Sequence, residues 1–194
     1  MPDLTAPVLP AGTFSGAPQP TVPAAGGLLL RPFTPGDAPA VHAVFQDPAM
    51  HRWHLRSAGS QEEVAGWIAQ WHAAWEADRE AQWAVTEDDG AGRLVGRVAL
   101  REVRLADGAA EVAYWTVPDA RGRGVAARAT AALARWALRE TGFHRLELLH
   151  AVANEASCRV AARTGFVLEG TKRRSGLHAD GWHDMHLHAR VAGD

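Results

Sequence analysis

The chain has 194 residues, 47% apolar and 22% charged, which is enough for one domain with a sizeable core. Its net charge of −2 argues against a general nucleic-acid binder, which needs a broad basic face. The lone cysteine, Cys158, excludes an internal disulfide and fits a reducing cytoplasm, and no apolar run reaches the length of a membrane span.

Residues 1–26 are rich in proline and alanine, show no periodicity, and lack the charged start and apolar run of a signal peptide. This composition predicts a disordered or extended tail before a domain spanning 28–194. Leu28 to Pro32 reads as a first strand, closed by proline. Asp37 is placed to cap a short helix. Ser60-Gln61-Glu62-Glu63 has capping-box spacing, and Val64, Trp67, Ile68, Trp71 and Trp75 then recur at helical intervals. Gln82–Thr86, Arg93–Leu105 and Glu111–Val117 read as strands joined by Asp-Gly turns. A helix from Val125 to Arg139, a strand Leu146–Val152, a helix Glu155–Arg163 and strands Phe166–Thr171 and Met185–Val191 complete the order. The expectation is a single α/β (α+β) domain: a mixed, largely antiparallel sheet of about six to seven strands with about four helices.

The stretch Val117-Pro-Asp-Ala-Arg-Gly-Arg-Gly-Val-Ala-Ala127 sits between a strand and a helix. Glycines free the backbone N–H groups, and a helix N-terminus favours negative charge, so this loop is built for an anion. A Walker-type loop requires Gly-Lys-Ser/Thr, whereas Gly124 is followed by Val125 and Ala126. Gly122-x-Gly124-x-x-Ala127 does satisfy a relaxed dinucleotide pattern, with Glu147 downstream. However, several hairpin strands precede it, and the turn through Pro118–Arg121 is long.

Arg121-x-x-Gly124-x-Ala126 resembles the Q/R-x-x-G-x-G/A signature of the GNAT acetyltransferases. "AEVAYWTVPDARGRGVAARA" and "NEASCRVAARTGFVLEG" are similar to two segments of the branch that acetylates N-terminal amines of ribosomal proteins, and "LLLRPFTPGDAPAVH" is similar to its opening. The likeness runs from about Leu28 to Val191. It implies acetyl-CoA as co-substrate, with no metal. Pyrophosphate would lie on Arg123, Gly124, Val125, Ala126 and Ala127, with Arg121 and Gly122 beside them, and the pantetheine arm would pair along Trp115, Thr116 and Val117. Asn154 matches a position that contacts this arm. Arg121, Arg123 or Arg128 would meet the ribose phosphate.

Amine acetylation needs a proton acceptor, an oxyanion donor and, for a poor leaving group, an acid. Glu111 is the candidate base and the N–H near Val117 the candidate oxyanion donor. Many relatives carry a tyrosine seven residues after the asparagine, where this chain has Ala161. Ser157 and Tyr114 are the replacements considered for the acid; Ser157 would also contact the coenzyme. A strand glutamate without chemistry and a core-packed tyrosine remain the plainer alternatives.

His178, His183, His186 and His188 crowd one stretch and invite a metal reading, but no acidic or cysteine ligand completes a convincing set, and His186 and His188, on one strand face by alternation, read as a solvated sheet surface. The tryptophan stripe reads as core, with one ring free to line a cleft. His51–Arg56 is read as a loop leaning on the acceptor. The expected partners are acetyl-CoA and a primary amine, on a protein N-terminus or a small molecule, with no nucleic acid and no membrane; a homodimer is compatible. Two other functions stay open: a non-catalytic acyl-CoA-binding regulator and a dinucleotide-dependent oxidoreductase.

Overall fold

The computed structural model of the chain describes residues 5–54 and 56–194. Its frame is one eight-stranded sheet in the order β1-β2-β3-β4-β5-β6-β8-β7. The strands are β1 (Val22–Ala24), β2 (Leu28–Pro32), β3 (Ala81–Glu87), β4 (Leu94–Arg104), β5 (Ala109–Thr116), β6 (Arg145–Ala151), β7 (Val167–His178) and β8 (Gly181–Val191). The helices are α1 (Ala38–Phe45), α2 (Pro48–His51), α3 (Gln61–Glu76), α4 (Val125–Arg135) and α5 (Glu155–Arg163). Among the described residues no helix is long and apolar enough to cross a membrane.

The predicted strands and helices are present, with one strand and one helix more than the upper expectation. The short helix α2 follows a proline at its first position and an Asp47 cap that accepts from the Ala49 N–H. Ser60 caps α3 as its spacing implied: its Oγ accepts from the Glu63 N–H, and Glu63 in turn accepts from the Gly59 N–H. Asp37 instead turns away from α1, pairing both carboxylate oxygens with Arg31 and accepting from the Thr34 N–H. Beyond α4 the chain widens into a π turn, Trp136–Thr141, which ends at Gly142 with φ of 93°.

The tail departs from its predicted disorder. Phe14 is fully buried and Leu9 nearly so, and Val22–Ala24 pairs antiparallel with Leu28–Leu30 as the outer strand. Asp78 accepts from the backbone N–H groups of Gly12, Phe14 and Ser15. The indoles of Trp75 and Trp83 donate to the carbonyls of Ala17 and Pro20. A proline-rich segment cannot make its own core, but it can lend two apolar side chains and its free carbonyls to a core made by others.

What positions the site is a fork. All strand pairs are antiparallel except β5 with β6, which pair in parallel only over Ala109–Glu111 and Arg145–Glu147. Beyond that point β5 stays with β4 up to Thr116, and β6 stays with β8 up to Ala151. The sheet therefore opens into two arms with unpaired backbone along the inner edges.

Candidate active site

Two cavities, of about 520 and 400 Å³, occupy the fork and its mouth. They meet at a shared wall of Trp53, His54, Tyr114, Trp115, Asn154 and Ser157. The smaller cavity runs along the glycine loop and α5; the larger lies under α3 and the β4–β5 arm.

The loop cavity is lined by uncapped backbone N–H groups and by arginines. Gly122 and Gly124 take φ of 75° and 74°, a left-handed conformation that glycine adopts without strain. The Arg128 N–H bonds to the Gly124 carbonyl. The N–H groups of Val125, Ala126 and Ala127 thus precede the helical ladder, and no side chain caps them. Arg121, Gly122, Gly124, Val125, Ala126 and Ala127 all line this cavity, as do Asn154 and Ser157 from the facing helix.

The arginines divide differently from expectation. Arg123 is not in the lining and pairs with Glu87 at 2.6 Å. Arg128 reaches back to the carbonyls of Ala25, Gly26 and Arg123, pinning the β1–β2 turn to the loop. Arg121 remains on the cavity and pairs with Asp47 across its mouth at 2.5 Å. Two arginines passed over in the sequence, Arg159 and Arg163 on α5, line the opposite wall. Their helical spacing of four put them on one face, which was the available signal.

The backbone assignments on β5 also shift. The Val117 N–H donates to the Val95 carbonyl, and the Val117 carbonyl accepts from Ala120, so Val117 has nothing left for a ligand. Arg97 is the register partner of Trp115, and backbone groups alternate sides along an antiparallel pair. The Trp115 backbone therefore faces β4 as well. The N–H and carbonyl groups of Tyr114 and Thr116 face the open fork. The backbone groups open to a ligand are therefore those of these two residues and not those of Val117.

Glu111 sits at the last paired position before the fork, opposite Glu147, and lines the larger cavity. Its Oε1 accepts from Arg101 Nη2 at 2.5 Å. Tyr114 and Ser157 are neighbours on the shared wall. The buried Tyr114 hydroxyl makes no well-formed hydrogen bond, and burial pushes its pKa up to about 12 despite the nearby Ser157. Asn154 caps α5 through Oδ1, which accepts from the Ser157 N–H at 3.1 Å and leaves its amide N–H groups for other partners.

The larger cavity carries charge that the sequence did not reveal. Arg97 lies on its wall, bonded to Gln82 Oε1 and over the Trp71 ring at 5.6 Å. Burial, followed by the neighbouring Arg101, pulls its pKa down to about 9. His54 is held neutral, at about 4, by burial and then by Arg97 and Arg101. Trp53, His54 and Arg56 of the predicted acceptor loop do line this cavity; Leu55 lies outside the described residues. Of the tryptophan stripe, Trp75 is core, whereas Trp67 and Trp71 are half-buried and line the cavity.

A family profile described as Acetyltransferase (GNAT) domain matches residues 27–167. The chain belongs to this family. Among curated relatives, it is 35% identical over 92 residues to a Bacillus subtilis protein provisionally named as the ribosomal N-acetyltransferase YdaF, covering 47% of this chain and 50% of the relative. It is 29% identical over 98 residues to the ribosomal-protein-serine acetyltransferase of Escherichia coli, covering 50% of this chain and 55% of that protein. These matches span about half the length of each of the two relatives. In structure, RimL, a ribosomal L7/L12 α-N-protein acetyltransferase solved with coenzyme A, superposes with a TM-score of 0.82 at 21% identity, over 89% of this chain and 98% of RimL. As in the GNAT fold generally, the cavities here lie where the sheet divides.

Proposed function

We propose that the protein transfers acetyl from acetyl-CoA to a primary amine, without a metal in the reaction. The observation that carries this is the junction of an anion-binding helix terminus with an open sheet fork, walled by Tyr114, Asn154 and Ser157. Pyrophosphate would take the free N–H groups of Val125–Ala127, with Arg121, Arg159 and Arg163 around it. The pantetheine arm would extend the β5 edge through Thr116.

In the reaction the acceptor nitrogen attacks the thioester carbonyl carbon, and the tetrahedral oxyanion takes a hydrogen bond from an inward N–H of Tyr114 or Thr116. The C–S bond then breaks. The thiolate takes the Tyr114 hydroxyl proton, which the tyrosinate regains from the acylated nitrogen through water, or takes that nitrogen's proton through water relayed past Ser157. Before the attack Glu111, through the oxygen that Arg101 does not hold, takes the acceptor's ammonium proton directly or by way of water and so frees the nitrogen lone pair.

The acceptor cavity supports a finer reading. Arg97 is a half-buried guanidinium whose direct partners are a neutral amide and an aromatic face, with the Glu80 carboxylate acting on it from farther off. Such a group favours an anionic or strongly polar ligand. The acceptor would therefore present a carboxylate or backbone carbonyls beside its amine, as a peptide N-terminus with an acidic residue does. This agrees with relatives named for ribosomal-protein acetylation.

Acetyl-CoA incubated with peptide N-termini and small amines, followed by thiol release and by mass spectrometry of the acceptor, tests the proposal. Transfer supports it. Binding of acetyl-CoA without release across the panel would leave a coenzyme-binding module instead.

A further inference from the structure

Of the histidines read as a solvated sheet face, His188 is buried and His186 half-buried. His188 is buried, and α5 together with β6 brings two more ligand-bearing side chains to it. His150 on β6 lies directly opposite His186 on β8, with His188 two residues along on the same face. Cys158 comes down from α5. One nitrogen from each histidine and the cysteine sulfur lie within 4.8 Å of one another.

The protonation pattern is decisive. His150 Nδ1 is 2.8 Å from the Ala151 carbonyl, and His188 Nδ1 is 3.4 Å from the Phe166 carbonyl. A carbonyl oxygen only accepts, so the 2.8 Å contact puts the proton on His150 Nδ1 and leaves its Nε2 a lone pair, and the longer His188 contact favours the same tautomer there. Those two Nε2 atoms face one another at 3.2 Å. In that pair of tautomers the two lone pairs repel, and a cation between or beside them relieves this; without one, His188 gives up its longer carbonyl contact and donates from Nε2 to His150. His186 Nδ1 is also buried and has no hydrogen-bond partner.

We propose that His150, Cys158, His186 and His188 bind one tetrahedral transition-metal ion, Zn²⁺ by ligand chemistry, at the β6–β8 side of the acceptor cavity. Three imidazoles and a thiolate are a borderline nitrogen–sulfur set of the kind zinc takes in closed sites. Zn–N bonds of about 2.0–2.1 Å in a tetrahedron put ligand nitrogens about 3.3 Å apart, close to the existing His150–His188 spacing. The carbonyls that fix the two Nδ1 protons are the usual outer partners of zinc-bound histidines. The remaining approach is made by side-chain torsions of His186 and Cys158, and the thiol proton passes to solvent on binding. The ion would be fully ligated by protein. It would therefore fix β6, β8 and α5 relative to one another and hold His150, a cavity-lining residue, without taking part in acyl transfer. The inference does not depend on the proposed reaction.

The test uses the full chain, stripped with a chelator and titrated with Zn²⁺ against a chromophoric competitor, and separately with Co²⁺ as a spectroscopic probe. One equivalent should bind, with a tetrahedral cobalt spectrum and a thiolate-to-cobalt charge-transfer band. Cys158→Ser, at a half-buried position that tolerates the change, should abolish that band and weaken Zn²⁺ binding by at least about 10–100-fold, the loss that even an outer partner's removal causes. His183→Ala, in the exposed His183–Asp180 pair, should change neither. No stoichiometric binding, an octahedral cobalt spectrum, or affinity that follows His183 and ignores Cys158 would overturn the site.

Discussion

Phe14 lies flat on Trp75, with ring centroids 4.8 Å apart and planes 14° apart. The residue comes from the proline-rich N-terminal segment, and the ring beneath it comes from the last turn of α3. Trp136 and Phe143 close the other sides. Phe14→Ala should therefore cost about 3–5 kcal/mol, the usual loss for a buried aromatic, and removal of residues 1–26 should cost more by unpairing β1. Urea denaturation measures both. A change under about 1 kcal/mol for Phe14→Ala would mean that this packing contributes little to stability.

The glycine loop gives a second outcome. Gly124→Glu forces a side chain into a φ of 74° and puts negative charge beside the free N–H groups of α4. Affinity for acetyl-CoA should fall at least about 100-fold by calorimetry, while far-ultraviolet circular dichroism stays native. A folded variant with unchanged affinity would remove the loop from the coenzyme site.

His54 gives the fold an acid limit. Its pKa is about 4 in the folded chain, through burial first and then the charges of Arg97 and Arg101, against an ordinary value near 6.5. The unfolded chain then binds more protons between those values, so the contribution to stability is full above about 6.5 and is lost as pH falls toward 4. The shift corresponds to at most about 3 kcal/mol. His54→Gln should flatten the decline in melting temperature over this window. An unchanged slope would show that other groups, His150 and His188 among them, carry the acid sensitivity.

Much of the fold was legible because it is written in period and punctuation. Ser60 with Glu63 marked the start of α3, Gly124 the start of α4 and Asn154 the start of α5, and each is where the helix begins. The tail was misread because composition describes what a segment can do alone, and Phe14 acts only with α3. Val117 was misread because which face of β5 offers its N–H groups depends on register with β4, and alternation alone does not fix it. Arg97 as a cavity charge, and the approach of His150 and Cys158 to the histidines of β8, were invisible for a related reason. Their meaning comes from residues more than ten positions away, and nothing local marks them. Glu111, Tyr114 and Ser157 were legible as types in position, yet the Arg101 pairing of Glu111 was not.

Tyr114 separates a chemical role from a packing one. Its buried hydroxyl lacks a well-formed partner, so Tyr114→Phe removes no native hydrogen bond and should leave stability unchanged or slightly higher. If the hydroxyl protonates or hydrogen-bonds the departing sulfur, kcat should still drop by roughly 10–100-fold, with acetyl-CoA affinity kept. An intact kcat would make it a cavity wall only.

Glu111 is the most exposed assignment, because one of its oxygens is already held by Arg101. Glu111→Gln keeps a carbonyl oxygen for that arginine, so positioning survives while the capacity to take a proton is lost. If Glu111 is the base, kcat should fall by roughly 10²–10⁴-fold with little change in acetyl-CoA binding. The deficit should then shrink as pH is raised and the acceptor arrives as free amine, since the variant needs no base for a neutral nucleophile. Arg101→Gln provides the control: it frees the carboxylate, and activity should be retained at least in part if the arginine only orients it. Should Glu111→Gln turn over at the wild-type rate at neutral pH, the carboxylate belongs to the ion pair alone. Catalysis would then rest on proximity and on the inward N–H groups of Tyr114 and Thr116.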